Sequence, residues 1–197
     1  MASRFLLLDR DGTINRKIPN GYVTSWNQFV FLPGVLAGLS SLAEAGYSIA
    51  VVSNQAAVGK GLMTRSALAQ ITRRFMRKVR AHGGLIRRVY YCIHCKEARC
   101  PCRKPRPGLL LQAQADLHFS FAETCLIGDS LSDLIAAKQA GCPMIMVKGN
   151  ADSLLKMGTL QPDLVVPDFR RAVDALLRAS SSRLGGCALP RGCEADT

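Results

Sequence analysis

The sequence predicts an α/β fold, a Rossmann-like parallel sheet with helices on both faces, on three observations. Short apolar runs alternate with segments of helical periodicity along most of the chain, as strand-helix-strand crossovers require. Helical segments begin near Pro, Ser or Thr and stop near Gly, as at Gly46 and Gly141, where free N–H groups need an acceptor and a left-handed residue ends the helix. Polar motifs follow several apolar runs directly, the place where a parallel sheet gathers its binding loops.

The first strand is residues 5 to 8, Phe-Leu-Leu-Leu, apolar at every position and so suited to burial on both faces. Asp9-Arg10-Asp11-Gly12-Thr13 follows it. Strand side chains alternate between faces, so both carboxylates reach one site only if the strand ends at Asp9 and the chain turns through Gly12 and Thr13. Such a pair suits phosphoryl transfer, with a carboxylate as nucleophile, metal ligand or both; taken alone, it is equally a solvated turn. Residues 35 to 45 read as a helix and 48 to 52 as a strand, leading into Ser53-Asn54-Gln55. The Ser53 hydroxyl and the N–H groups after it can hold phosphate oxygens, or else form a turn or cap.

Residues 65 to 82 read as a helix with Leu68, Ile71, Phe75 and Val79 on its buried stripe, which leaves Arg73, Arg74, Arg77, Lys78 and Arg80 on a solvated face. A strand over 88 to 91 precedes Cys92-Ile93-His94 and Cys100-Pro101-Cys102. Three thiolates and an imidazole suffice for a closed tetrahedral zinc site, although single-residue spacing within each pair is tighter than usual and free cysteines are the other reading. Lys104 lies between a proline-rich turn and a helix over 107 to 117, where an ammonium can neutralise a transferring phosphoryl group. The strand 124 to 127 runs into Gly128-Asp129-Ser130-Leu131-Ser132-Asp133, and the two acids can face one site across the start of a helix over 131 to 140. Strands at 143 to 147 and 164 to 166 and a helix over 169 to 178 complete the domain, 1 to 178. Residues 179 to 197, rich in Ser and Gly without periodicity, read as a flexible tail. There is no internal repeat.

With 197 residues and 48% hydrophobic content, the chain suits a single domain with an ample core. No apolar stretch is long enough to span a membrane, and the amino terminus has no secretory pattern, so the expected location is cytoplasmic. Four of the eight cysteines fall within residues 92 to 102, a density that in a reducing compartment favours metal binding over disulfides. Cys125 and Cys142 read as core residues, and Cys187 and Cys193 as tail thiols. The net charge of +12 favours acidic ligands, phosphates or nucleic acid. Aromatic content of 6%, with no aromatics interleaved among the basic residues, speaks against nucleic acid. A zinc-stabilised nucleic-acid-binding module is the non-enzyme alternative, and it predicts salt-sensitive binding that survives Asp9→Asn.

In this order, the motifs at Asp9 to Thr13, Ser53, Lys104 and Asp129 to Asp133 resemble those of the haloacid dehalogenase superfamily of aspartate-nucleophile phosphohydrolases, over residues 4 to 178. The resemblance implies that Asp9 attacks phosphorus, that Asp11 acts as acid and then base, and that Ser53 and Lys104 bind the phosphoryl group. It also implies magnesium held by Asp9, Asp129 and the backbone carbonyl of Asp11, with Asp133 in support. Larger members insert cap domains between the first three motifs, and the corresponding gaps here are too short for a cap domain.

Cys92, His94, Cys100 and Cys102, together with Asn20-Gly21-Tyr22-Val23, resemble a branch that binds structural zinc before an Arg-Lys-Pro segment. That branch contains heptose bisphosphate phosphatases and histidinol phosphatases; Cys95 is a spare thiol that can compete with His94. The resemblance implies a small phosphorylated sugar as substrate, bound by Asn20, Gly21, Tyr22, Asn54 and Arg103, with Lys60 and Arg106 as helpers. A second phosphate suits those cations, whereas the amine of histidinol phosphate would be repelled. The heptose bisphosphate is therefore expected, and the protein is expected to be a monomer. Two features depart from the branch: Ala56-Ala57 replaces Ser-Gly, and residues 15 to 20 are longer and carry Arg16 and Lys17.

Overall fold

A computed structural model describes residues 4–147 and 159–181. The elements are β1 (Arg4–Leu8), α1 (Val35–Glu44), β2 (Tyr47–Asn54), α2 (Ala56–Gly59), α3 (Arg65–Ala81), β3 (Ile86–Cys92), α4 (Gly108–Leu117), β4 (Cys125–Gly128), α5 (Leu131–Ala140), β5 (Met144–Val147), β6 (Leu164–Val166) and α6 (Phe169–Ser181). Six strands form one sheet in the order β3-β2-β1-β4-β5-β6, and every pairing is parallel.

Alternation along the strands builds two cores. Leu6, Leu8, Ile49, Val51, Ile127 and Ile145 point to one face and pack with Leu39 of α1, Phe75 of α3 and Phe169 of α6. Phe5, Leu7, Ala50, Val52, Leu126 and Met144 point to the other and pack with Leu109 of α4 and Leu134 of α5. The sheet is therefore covered on both sides, which is why its central strands are apolar throughout. The chain steps from β1 outward through β2 and β3, then returns to β4 on the other side of β1 and steps out again. The loops after β1 and β4 diverge at this switch point and open a crevice at the carboxyl ends of the strands.

Several boundaries depart from the sequence expectation for physical reasons. β2 runs on to Asn54 because Ser53 and Asn54 stay in register with Tyr91 and Cys92 of β3. β3 begins earlier than expected, at Ile86, since exposed Arg87 interrupts its start in an edge strand. α2 is one turn, too short to leave a periodic signal, and α6 continues to Ser181 instead of stopping at 178. From residue 182 the expected tail, with Cys187 and Cys193, lies outside the described residues. In α3, Leu68, Ile71, Phe75 and Val79 are buried and the five basic positions are exposed, as the periodicity predicts. Between β1 and β2 the chain holds only a short 3-10 turn and α1, and between β2 and β3 only α2 and α3; neither gap carries a cap. No helix among the described residues is long and apolar enough to cross a membrane.

Candidate active site

Asp9 is the first residue past β1, and its N–H donates to the Ile127 carbonyl of β4 at 2.9 Å. The side chain is buried and its Oδ1 accepts from Lys104 Nζ at 2.8 Å. Lys104 is equally buried, donates to the Val52 carbonyl at 2.7 Å and lies 2.5 Å from Asp133 Oδ1. Its position is set from β2: Asn54 Nδ2 donates to the Lys104 carbonyl at 2.9 Å, and the Lys104 N–H donates to Asn54 Oδ1 at 3.1 Å. Asp133 is aimed by the capping box that starts α5, in which the Ser130 N–H and hydroxyl both donate to Asp133 Oδ2.

Asp129 is buried at the end of β4; its Oδ1 has no hydrogen-bond partner and its Oδ2 meets the ammonium of Lys17. Gly12 is what admits this carboxylate. Its φ is +98°, and a Cβ there would sit 2.1 Å from Asp129 Oδ2.

Burial dominates the electrostatics. It pushes the Asp9 carboxyl up to about 7, with Asp133 and Asp129 adding to the rise and Lys104 opposing it. It raises Asp129 too, against the pull of Lys17 and Lys104. For Lys104 burial works toward the neutral amine, but Asp133 and Asp9 outweigh it and hold the ammonium well above its ordinary range. Asp9, Asp129 and Asp133 offer oxygens within 4.8 Å of one another. Three buried carboxylates around one buried ammonium, with a free oxygen on Asp129, fit a hard divalent cation such as magnesium.

Asp11 lies beside this cluster, its side chain 23% exposed. Its carboxylate accepts from Arg10 Nη2 at 3.0 and 2.9 Å, Asn15 Nδ2 at 2.8 Å and Gln55 Nε2 at 2.7 Å. Arg10 is fully buried, its guanidinium 5.8 Å from the Phe29 ring centre and 5.9 Å from that of Tyr91. Gln55 also donates from its side chain to Ser53 Oγ at 3.1 Å and from its backbone to the Cys92 carbonyl at 2.7 Å. The sequence marks Lys17 as a departure from the branch but not its contact with Asp129, and gives no role to Arg10, Asn15 or the Gln55 side chain. Alternation places Arg10 facing away from Asp9, the available signal for a buried support; Gln55 belongs to the Ser-Asn-Gln segment, Lys17 to the lengthened 15–20 segment, and Asn15 carries no local signal.

The remaining expected substrate contacts are spread along the rim. Asn20 and Gly21 form an exposed turn, with Asn20 at φ 52°. Tyr22 is half-buried, with the Lys60 ammonium 5.5 Å from its ring centre. Arg103 donates to the His94 carbonyl at 3.4 Å and, with Lys96, Arg99 and Arg106, lines a basic cavity of about 420 Å³.

The zinc-type cluster assembles as four atoms. Cys92 Sγ lies 3.7 Å from His94 Nδ1 and 3.5 Å from Cys100 Sγ, and Cys102 Sγ lies 3.3 Å from His94 Nδ1 and 3.4 Å from Cys100 Sγ. A tetrahedron with zinc bonds of ~2.3 Å to sulfur and ~2.0 Å to nitrogen has edges of roughly 3.5 to 3.8 Å, so these residues fit that ion. Cys95 is outside the group. Gly108 lets the segment pack on α4, since a Cβ there would lie 2.8 Å from the Cys102 Cα. Burial raises the Cys92 thiol and drives Cys102 up to about 12. In Cys100 hydrogen bonds from Cys102 and Cys92 outweigh burial and bring it down to about 7.

Comparison with known proteins bears on this geometry. A HAD-hydrolase-like family model matches residues 101–172. The chain is 32% identical to the D-glycero-beta-D-manno-heptose-1,7-bisphosphate 7-phosphatase of Haemophilus ducreyi over 84% of its length and 94% of the relative. It is 39% identical to the D-glycero-alpha-D-manno-heptose-1,7-bisphosphate 7-phosphatase of Mycobacterium bovis over 73% of its length and 79% of the relative. The crystal structure of D,D-heptose 1,7-bisphosphate phosphatase from B. bronchiseptica, complexed with magnesium and phosphate, matches with a TM-score of 0.85 at 29% identity, covering 89% of this chain and 98% of that one.

Proposed function

The chain belongs to the haloacid dehalogenase-like phosphatases, and we propose that it removes the 7-phosphate of D-glycero-D-manno-heptose 1,7-bisphosphate, a step toward nucleotide-activated heptose. One observation carries the reading of the chemistry: Asp9 faces Lys104, and Asp11, two residues further on, is held by three donor side chains, one of which, Gln55, also reaches Ser53.

Asp9 attacks phosphorus and forms an aspartyl phosphate as the bond to the sugar oxygen breaks. Asp11 gives its proton to that leaving oxygen, then takes one from the water that hydrolyses the aspartyl phosphate. The Ser53 hydroxyl receives a phosphoryl oxygen, and the Lys104 ammonium neutralises charge on the transferring group. Arg10, Asn15 and Gln55 keep the Asp11 carboxyl in place through both steps. Magnesium held by Asp9, Asp129 and the Asp11 carbonyl supplies charge neutralisation between carboxylates and phosphate. Zinc on Cys92, His94, Cys100 and Cys102 is structural, because four protein ligands leave no position for water.

The sugar assignment is supported by relatives that span most of the chain and by the cations at the rim, Lys60 and Arg103 in particular, with Asn20, Gly21, Tyr22 and Asn54 as the accompanying contacts. A cationic amine finds no acid among the residues lining the basic cavity. The test is phosphate release from the two anomers of heptose 1,7-bisphosphate and from histidinol phosphate, each with magnesium. We expect a preference of at least roughly 10²-fold in kcat/KM for a heptose bisphosphate; equal or better turnover of histidinol phosphate overturns the assignment.

A further inference from the structure

We propose that Lys17 is a phosphate-binding residue, held by Asp129 until magnesium takes that carboxylate. Lys17 stands in the segment after the first motif and reaches across the crevice to Asp129 Oδ2. Its setting is unlike that of Lys104. The Lys104 side chain is 2% exposed and locked by Asp9, Asp133 and the Val52 carbonyl, whereas the Lys17 side chain is 48% exposed and has one partner. The backbone just before it is fixed, since the Asn15 N–H donates to the Arg10 carbonyl at 3.0 Å and the Arg16 N–H to the Val30 carbonyl at 2.8 Å. The ammonium can therefore swing, but only above the crevice.

Charge decides where it goes. The cluster holds three carboxylates, Asp9, Asp129 and Asp133, and all three act on Lys17. With Lys104 and Lys17 among them and no metal bound, these carboxylates leave no positive charge to draw in a phosphate dianion. A divalent ion on Asp9 and Asp129 supplies that charge and competes with the ammonium for Asp129. Once displaced, the half-exposed Lys17 ammonium is free to meet an oxygen of a phosphate arriving at the metal. A charge-assisted hydrogen bond there replaces the one to Asp129.

The proposal rests on the magnesium assignment above, not on the identity of the sugar. Its test is calorimetry on the full chain, titrating first magnesium alone and then inorganic phosphate at saturating magnesium. Lys17→Met and Lys17→Gln, at a half-exposed position, are compared with wild type and with Asp129→Asn. Removing the competing cation is expected to tighten magnesium binding about five- to tenfold, and removing the phosphate contact to weaken phosphate about tenfold. If either titration of both Lys17 variants stays within about twofold of wild type while Asp129→Asn loses magnesium, the role of Lys17 is overturned. If wild type does not bind magnesium, or Asp129→Asn binds it normally, the metal assignment falls and the proposal falls with it.

Discussion

The carboxylate cluster and the cysteine-histidine cluster both gather metal-ligating atoms within 4.8 Å, yet they are held by opposite means. Asp9 and Asp129 leave the ends of adjoining strands, Asp133 is fixed by a helix cap, and all are buried with Lys104 among them. Their positions follow from the sheet. In the other cluster only Cys92 belongs to a strand, and the 3-10 turn between the ligand pairs buries no residue. A segment with no core of its own takes its geometry from its ligands, so removing the ion has different consequences at the two sites. On the proposed metal assignments, a cation at the carboxylates would tune a preformed site, whereas zinc at the cysteines would make the site.

Asp9→Asn is the sharpest way to expose this asymmetry. Loss of the proposed nucleophile is expected to lower kcat by at least about 10³-fold, with a melting temperature close to wild type because the shape of the buried site survives. Cys102→Ser reverses the pattern. Structural zinc contributes several kcal/mol, and each kcal/mol moves Tm by about 2–4 °C in a domain of this size, so a fall of about 10 °C is expected. Metal content and calorimetric Tm check it. A zinc-free variant that melts like wild type would erase the distinction between the two regions.

The two regions also differ in how far they could be read in advance. Motifs at strand ends announce themselves because apolar runs frame them, so the placement of Asp9, Ser53 and Asp129 was legible, as was the parallel sheet; Lys104 was legible from its proline-rich turn before a helix. What stayed hidden were long-range supports. Arg10 looks like a charged interruption until the fold buries it beside Phe29 and Tyr91, and the contact of Lys17 with Asp129 spans 112 residues of sequence. The single-turn α2 was invisible because one turn has no periodicity. Asn54 was legible as a motif residue but not in its contact, since both ends of its amide meet the Lys104 backbone.

Gln55 joins the two regions: its side chain reaches Asp11 and Ser53, and its backbone holds the Cys92 carbonyl. Gln55→Leu removes the side-chain bonds and leaves the backbone bond. Arg10 and Asn15 still hold Asp11, so a fall in kcat of about tenfold is expected, with KM and zinc content little changed. Loss of zinc in this variant would instead mean that the side chain, not the backbone, couples the clusters.

The smallest expected effect is on pH dependence, and it has opposite signs in the two regions. In the metal-free carboxylate cluster Asp9 rises from 3.8 to about 7, chiefly through burial. The folded chain then holds this proton more tightly than the unfolded chain does, so the contribution is full below the unfolded value and is lost as pH rises through about 7. Magnesium replaces the missing proton, and its stabilising effect should therefore grow over the same interval. Zinc behaves in the reverse way, because its thiols must be deprotonated and acid competes with the ion. Thermal melts between pH 5 and 8 with each metal withheld in turn separate the two slopes, and Asp9→Asn should flatten only the first. A carboxylate slope that persists in that variant would assign the proton to Asp129, the other buried carboxyl raised by burial.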